Sequence, residues 1–248
     1  MSSSISQAVR ELAEPKLAEF TAKLLPTVDP ERILGVRMPA LRKLAKKLLR
    51  EHPQEVTEFK AAVPHDFQEE DLLHVLLLNE ERDFATWHAE ITNFLPYMTN
   101  WTLTDAVSPA CVKGDKAANL PKLERSCLNW MLDDRVYVQR LGAVVLMSLL
   151  TTDSFSPEHL QAVAALAGSE EYYVRVAVAW YFAEALARQE HAALPWFALA
   201  DSSGNTDSPG LPAVTLRMAI TKAIESRRIS DELKAELRQI RSILPRRS

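Results

Sequence analysis

Apolar residues recur along most of the chain at the three- and four-residue spacing of amphipathic helices. One such stripe passes through Leu17, Phe20, Leu24 and Leu25, and a turn follows at 26–30. Pro39 then opens a second helix, since proline is well tolerated in a first helical turn. The apolar positions of this second helix are Leu41, Leu44, Ala45, Leu48 and Leu49, and its other face carries Arg42, Lys43, Lys46, Lys47 and Arg50.

Two later segments resemble each other, which indicates an internal repeat. Residues 133–150 and 169–186 each carry acidic residues just before an apolar helix, and Tyr137 aligns with Tyr173. The same step back from Tyr137 reaches Trp101, where Asn100 is a suitable helix N-cap. A period of about 36 residues with two helices per repeat is typical of HEAT-type arrays. The pattern predicts an all-α superhelix, a solenoid of HEAT-like repeats.

The domain organisation follows from the same pattern. We expect a single HEAT-like repeat domain over 1–248, with a surface loop near 201–212, where Ser, Gly, Asp and Pro are concentrated. Glycine is scarce at 6 residues, which agrees with a helical chain that has few tight hairpins.

Composition narrows the function classes. The polar start and the lack of a long apolar run predict a cytoplasmic protein that does not enter a membrane. Cys111 and Cys127 lack metal-ligand spacing, and no glycine-rich phosphate loop occurs. We therefore expect no metal, no nucleotide and no other cofactor, and a monomeric protein.

The formal net charge is -4, but both ends of the chain are basic around an acidic centre, so a local basic surface is compatible with it. By themselves, such charge runs favour ordinary solvated helix faces.

Four residues form the group whose side chains could carry out chemistry. Trp101 and Asp105 lie four residues apart, on one face of a helix. Arg140 follows about one repeat after Asp105, and Trp180 about one repeat after Arg140. Equivalent positions of a solenoid line one concave surface, so all four side chains could meet there. Two alternatives stay open on spacing alone: Trp180 as a core residue, and Asp105 with Arg140 as a structural ion pair.

Several segments carry a resemblance to a known family. They are residues 34–42, 100–105, 139–140, 172–180 and 222–226. In order and spacing they resemble the bacterial DNA alkylation repair family of HEAT-like DNA glycosylases, over roughly residues 15–240. The resemblance implies a groove that binds double-stranded DNA and removes purines alkylated at N3 or N7.

The resemblance also implies roles for individual residues. Asp105 matches the carboxylate that stabilises the positively charged, oxocarbenium-like transition state. Trp101 and Trp180 match aromatic residues that contact the lesion's sugar and its cationic base. Arg140 matches a residue that holds a backbone phosphate. Further phosphate contacts are expected from Arg37, Arg42, Lys43 and Arg175.

An alternative function is a HEAT-repeat binding protein without catalysis, which would bind an unusual DNA structure or a protein. Thr102 and Ala183 stand where active members of the family often carry an acidic and a basic residue. With the net charge of -4, these departures weaken the expected DNA-holding surface.

Overall fold

The computed structural model describes residues 4–199 and 209–245, and every regular element in those ranges is a helix. The predicted all-α fold class is therefore confirmed. Most of the predicted loop near 201–212 lies outside the described residues; its last four residues, 209–212, are non-helical and lead into a helix that begins at Ala213. Among the described helices, none combines the length and the hydropathy that a bilayer span requires.

The chain divides into two compact units, Met1–Asn119 and Leu120–Ser248. A single domain over the whole chain stays a prediction. The first unit contains α1 (Ser4–Arg10), α2 (Pro15–Leu24), α3 (Met38–Glu51), α4 (Pro53–Ala61), α5 (Gln68–Leu78), α6 (Phe84–Phe94), α7 (Trp101–Asp105) and α8 (Ala110–Gly114). The helix α9 (Lys116–Met131) carries the chain into the second unit. The second unit contains α10 (Val136–Leu146), α11 (Glu158–Ala164), α12 (Tyr172–Arg188), α13 (Glu190–Ala193), α14 (Ala213–Glu225) and α15 (Asp231–Ile243). Short 3-10 helices occur at Pro30–Arg32, Leu95–Tyr97, Met147–Thr151 and Leu194–Phe197.

In the first unit, α3, α5 and α7 lie side by side, with α5 in the middle. All eleven residues of α5 are buried, including the four polar residues at its start. On α3, Leu41, Ala45 and Leu48 are buried while its basic residues point outward, as the periodicity predicts. The stripe on α2 is different, because Phe20 is 58% exposed and Leu24 is 45% exposed.

The buried polar start of α5 holds the chain segment that precedes α3. The Glu69 carboxylate accepts hydrogen bonds from the backbone N–H groups of Leu34 (2.9 Å) and Gly35 (2.7 Å). Gly35 has φ +74°, and a Cβ there would lie 2.3 Å from the nitrogen of Ala18, so only glycine fits this close crossing. These contacts offset the cost of burying a carboxylate.

In the second unit, α12 packs against both α10 and α14. The rings of Tyr137 and Tyr173 have centroids 5.7 Å apart, so residues at equivalent positions of the predicted repeat lie side by side. The close approach of α9 and α10 depends on Gly142, where a Cβ would lie 2.6 Å from the carbonyl oxygen of Cys127. Helices that are neighbours along the chain therefore pack directly against one another in this unit.

Candidate functional site

The short helix α7 carries both Trp101 and Asp105. Asn100 caps it, because its side-chain oxygen accepts a hydrogen bond from the N–H of Thr102 at 3.0 Å, which confirms the predicted cap. The Trp101 indole is half-buried against a cluster of Leu25, Val28 and Ile33, and its Nε1 donates to the carbonyl of Leu24 at 3.2 Å. The buried part of Trp101 therefore packs on the turn that follows α2.

Asp105 is the last residue of α7 and is half-buried. The buried Thr104 hydroxyl lies 3.0 Å from the Asp105 Oδ1 and 3.0 Å from the Trp101 carbonyl oxygen. The carboxylate is thus oriented by a neighbour that is itself fixed in the core. A carboxylate held in this way can stabilise a positive charge that develops near it.

At the N-terminal end of α7, a buried amide network ties the helix to α5. The Asn100 Nδ2 donates to the Gln68 Oε1 at 2.8 Å, and the Gln68 Nε2 donates to the Thr102 Oγ1 at 2.8 Å. Gln68 and Asn100 are 3% and 0% exposed. Because buried amides are costly to leave unpaired, this network fixes where Trp101 starts.

At the C-terminal end of α7, the buried side chain of Asn79 makes a second tie. Its Nδ2 donates to the carbonyl of Ala106 at 2.7 Å, and its Oδ1 accepts from the N–H of Ser108 at 2.7 Å. The backbone carbonyl of Asn79 also accepts from the N–H of Ala110 at 2.7 Å. Asn79 follows α5 directly and Ala106 follows Asp105, so α5 and α7 run in the same direction and α5 holds α7 at both ends.

The second unit holds the other two residues of the predicted group. Arg140, on α10, is only 3% exposed, and its Nη1 donates to the carbonyl of Tyr173 at 2.9 Å. Trp180, on α12, is half-buried and shares a partly exposed helix stripe with Tyr173, Val176 and Glu184. Arg140 therefore fixes the start of the helix that carries Trp180, and its phosphate contact stays a prediction.

The other predicted phosphate contacts have varied surroundings. Arg37 is exposed and makes a two-pronged ion pair with Glu14, at 2.7 and 2.8 Å. The hydrogen bonds from this guanidinium lower the pKa of the Glu14 carboxyl. Arg175 donates from Nη1 to the carbonyl of Ser169 at 2.7 Å. Arg42 and Lys43 are exposed on α3. Arg37 is thus the one of these four cations whose charge is most directly compensated.

The structure brings Trp101 and Asp105 together within the first unit, and it places Arg140 and Trp180 in the second. The meeting of all four in one groove stays a prediction. Sequence reasoning missed Gln68 and Asn79, which position α7. The available signal was two amide residues near the run 72–78, Gln68 four residues before it and Asn79 directly after it, but nothing in the sequence indicated their partners. Across 4–199 and 209–245, no group of three or more His, Cys, Asp or Glu is arranged to hold a metal ion.

The family of the chain follows from comparison with known proteins. A model of the DNA alkylation repair enzyme family matches residues 5–223. The chain therefore belongs to the DNA alkylation repair enzyme family, and the resemblance drawn from its motifs is confirmed. Membership indicates a role in DNA alkylation repair with DNA as the substrate. A comparison with curated proteins returned no matching relative.

Proposed function

We propose that this protein is a DNA glycosylase that excises purines alkylated at N3 or N7 from double-stranded DNA. The observation that carries the proposal is the pairing of Trp101 with Asp105 on one short, firmly held helix in a chain of this family. An indole beside a carboxylate suits a substrate whose base is cationic and whose sugar becomes cationic during the reaction.

The carboxylate of Asp105 acts on the sugar. Alkylation at N3 or N7 gives the purine a positive charge, so the bond from the sugar C1′ to N9 breaks with the base leaving as a neutral molecule. The electron pair goes to the base, and the sugar becomes an oxocarbenium ion that the Asp105 carboxylate stabilises. Water then adds at C1′ and loses a proton, which leaves an abasic site.

The two indoles recognise the substrate. Trp101 packs on the sugar of the lesion, and Trp180 offers its ring to the cationic base. The partial exposure of both rings supports this proposal, since a fully buried ring would be unavailable. Arg140, Arg37, Arg42, Lys43 and Arg175 hold the DNA backbone through its phosphates.

Release of free base from methylated DNA tests the proposal. Duplex DNA treated with a methylating agent is incubated with excess protein, and the released bases are identified by mass spectrometry. We expect 3-methyladenine or 7-methylguanine to appear with the wild type and to be absent with Asp105→Asn. No release by the wild type at high protein concentration would refute the glycosylase function.

A second candidate is a DNA-binding protein of the same family without catalysis. The compensation of Arg37 by Glu14 and the burial of Arg140 favour it, because both reduce the positive charge offered to DNA. Binding of duplex DNA without release of base from any methylated substrate is the result that it predicts.

A further inference from the structure

A basic depression lies at the end of α7, beside the proposed catalytic carboxylate. It has a volume of about 400 Å³, and its charged lining residues are Arg42, Lys46, Lys113 and Glu80. Ala106, which directly follows Asp105, also lines it. All of these residues belong to the first unit. Three cations and one carboxylate give this depression a net positive charge next to the candidate site.

The three cations of this depression are uncompensated. In the described part of the chain, Arg42, Lys46 and Lys113 have no carboxylate within ion-pair distance, and all three are exposed. Elsewhere in the same unit, Arg32 pairs with Asp71 at 3.0 Å and Arg37 with Glu14 at 2.7 Å. Converging like charges repel one another, and an anion placed between them relieves this cost.

The basic surface of α3 is divided by helical geometry. Arg42 and Lys46 lie four residues apart on one row and both line the depression. Lys47, one residue further, lies about 100° around the helix and reaches Glu51 at 3.9 Å instead. Of these two neighbouring lysines, Lys46 therefore lines the depression and Lys47 does not.

A second depression continues from the first. It has a volume of about 390 Å³, shares Ala110 and Lys113 with the first, and adds two charged residues, Arg82 and Asp115. Lys113 thus stands where the two depressions meet. Such a track of separated cations suits a polyanion better than a single small anion.

We propose that Arg42, Lys46 and Lys113 form a binding site for consecutive backbone phosphates of duplex DNA, which seats the strand next to Asp105. The proposal deepens the glycosylase function, since it takes that function's substrate as its ligand and adds Lys46 and Lys113 to its binding residues. Phosphate contacts fix the register of a protein on DNA, so this site would determine which nucleotide faces the carboxylate.

Salt-dependent binding of a fluorescein-labelled duplex without lesions tests the site. Anisotropy is measured for the wild type, Lys46→Gln, Lys113→Gln and the double variant, between about 50 and 200 mM salt. Each lost phosphate contact should reduce the slope of log K against log salt by about 1, and the double variant should lose about 2. Lys47→Gln is the matched control, with the same loss of charge on the same helix and an unchanged slope.

The outcomes separate this site from the glycosylase function. Reduced slopes for Lys46→Gln and Lys113→Gln with the Lys47→Gln slope intact support the site, whether or not any base is released. Equal slopes for all three variants and the wild type overturn it, even if methylated bases are excised normally. Equal reductions for Lys46→Gln and Lys47→Gln also overturn it, because they indicate a general effect of charge.

Discussion

The two tryptophans of the candidate site stand on helices that differ in length and in the contacts that hold them. Trp101 begins α7, which has five residues, whereas Trp180 lies inside α12, which has 17. A helix of five residues closes too few internal hydrogen bonds to hold itself. Its position depends on side chains of α5, above all Gln68 and Asn79. By contrast, α12 is fixed by an apolar face that is buried along its whole length.

This difference indicates where single substitutions should disturb the candidate site most. The carboxylate proposed for catalysis sits on α7, which is held by a few buried hydrogen bonds. Single substitutions of their polar side chains, about 30 residues earlier in the sequence, should therefore displace it. The indole proposed to contact the base sits on an element held by many apolar contacts, each worth little on its own.

Acid should weaken the packing around α5 through a buried pair of histidines. His65 Nε2 and His74 Nδ1 are 2.9 Å apart, and burial lowers the pKa of His65 to about 4 and that of His74 to about 3. Because both values are depressed below 6.5, the unfolded chain takes up protons before the folded one does. The free energy of unfolding is therefore undiminished above pH 6.5, falls progressively below it, and stops falling once the pH has passed 4 and 3. We expect each histidine to lower the free energy of unfolding by roughly 3 kcal/mol by pH 4, or about 6 kcal/mol for the pair.

Urea unfolding at pH 7 and pH 4 measures this loss. The variant His74→Phe, which keeps a ring beside Phe94, should show a smaller dependence on pH than the wild type. The exposed His191 of the second unit provides the control His191→Gln, which should follow the wild type. The same pH dependence in His74→Phe and the wild type would contradict the assignment.

Loss of the Asn79 side chain should slow base excision more than it weakens DNA binding. Asn79→Ala removes the hydrogen bonds to Ala106 and Ser108 and so frees the segment that follows Asp105. A displacement of about 1 Å at a reacting group lowers rates by roughly 100-fold. We expect a single-turnover rate about 10- to 100-fold lower, with a smaller change in the Kd for the duplex, because Asn79 also lines the basic depression.

The second unit offers a matched control for Asn79→Ala. The Gln189 Nε2, just after α12, donates to the carbonyl of Leu150 at 2.8 Å, so Gln189→Ala also removes a side-chain amide tie. Both variants should lose about 1 to 3 kcal/mol of stability, but Gln189→Ala should leave the excision rate intact. If both variants lose excision rate equally, Asn79 contributes general stability and does not position Asp105.

Loss of the Trp180 indole should have the smallest effect of the three. Trp180→Ala removes a contact between a ring and a cation that is worth about 0.5 to 2 kcal/mol, so the preference for methylated over unmodified duplex should fall roughly 2- to 30-fold. Competition binding measures this preference. Tyr172→Ala, on the same helix, should leave it unchanged, and an unchanged preference in Trp180→Ala would remove Trp180 from the site.

Local features of the fold could be predicted from the sequence because their causes are local. Pro39 in the first turn of α3 and the Asn100 cap of α7 depend on neighbouring residues alone. The contact between Tyr137 and Tyr173 agrees with the alignment of their two segments in the sequence. The ties from Gln68 and Asn79 could not be predicted, since their partners lie about 30 residues away. Nor could the exposure of Phe20, which depends on how α2 is seated.

The effect of Asp105→Asn on binding and on chemistry tests the central claim most directly. Asparagine keeps the size of the side chain and removes its charge, so contacts with DNA should persist while stabilisation of the cationic sugar is lost. We predict a Kd for methylated duplex within about 2-fold of the wild type and a single-turnover rate of base release at least about 100-fold lower. A wild-type rate in this variant would show that the carboxylate on α7 does not carry the reaction.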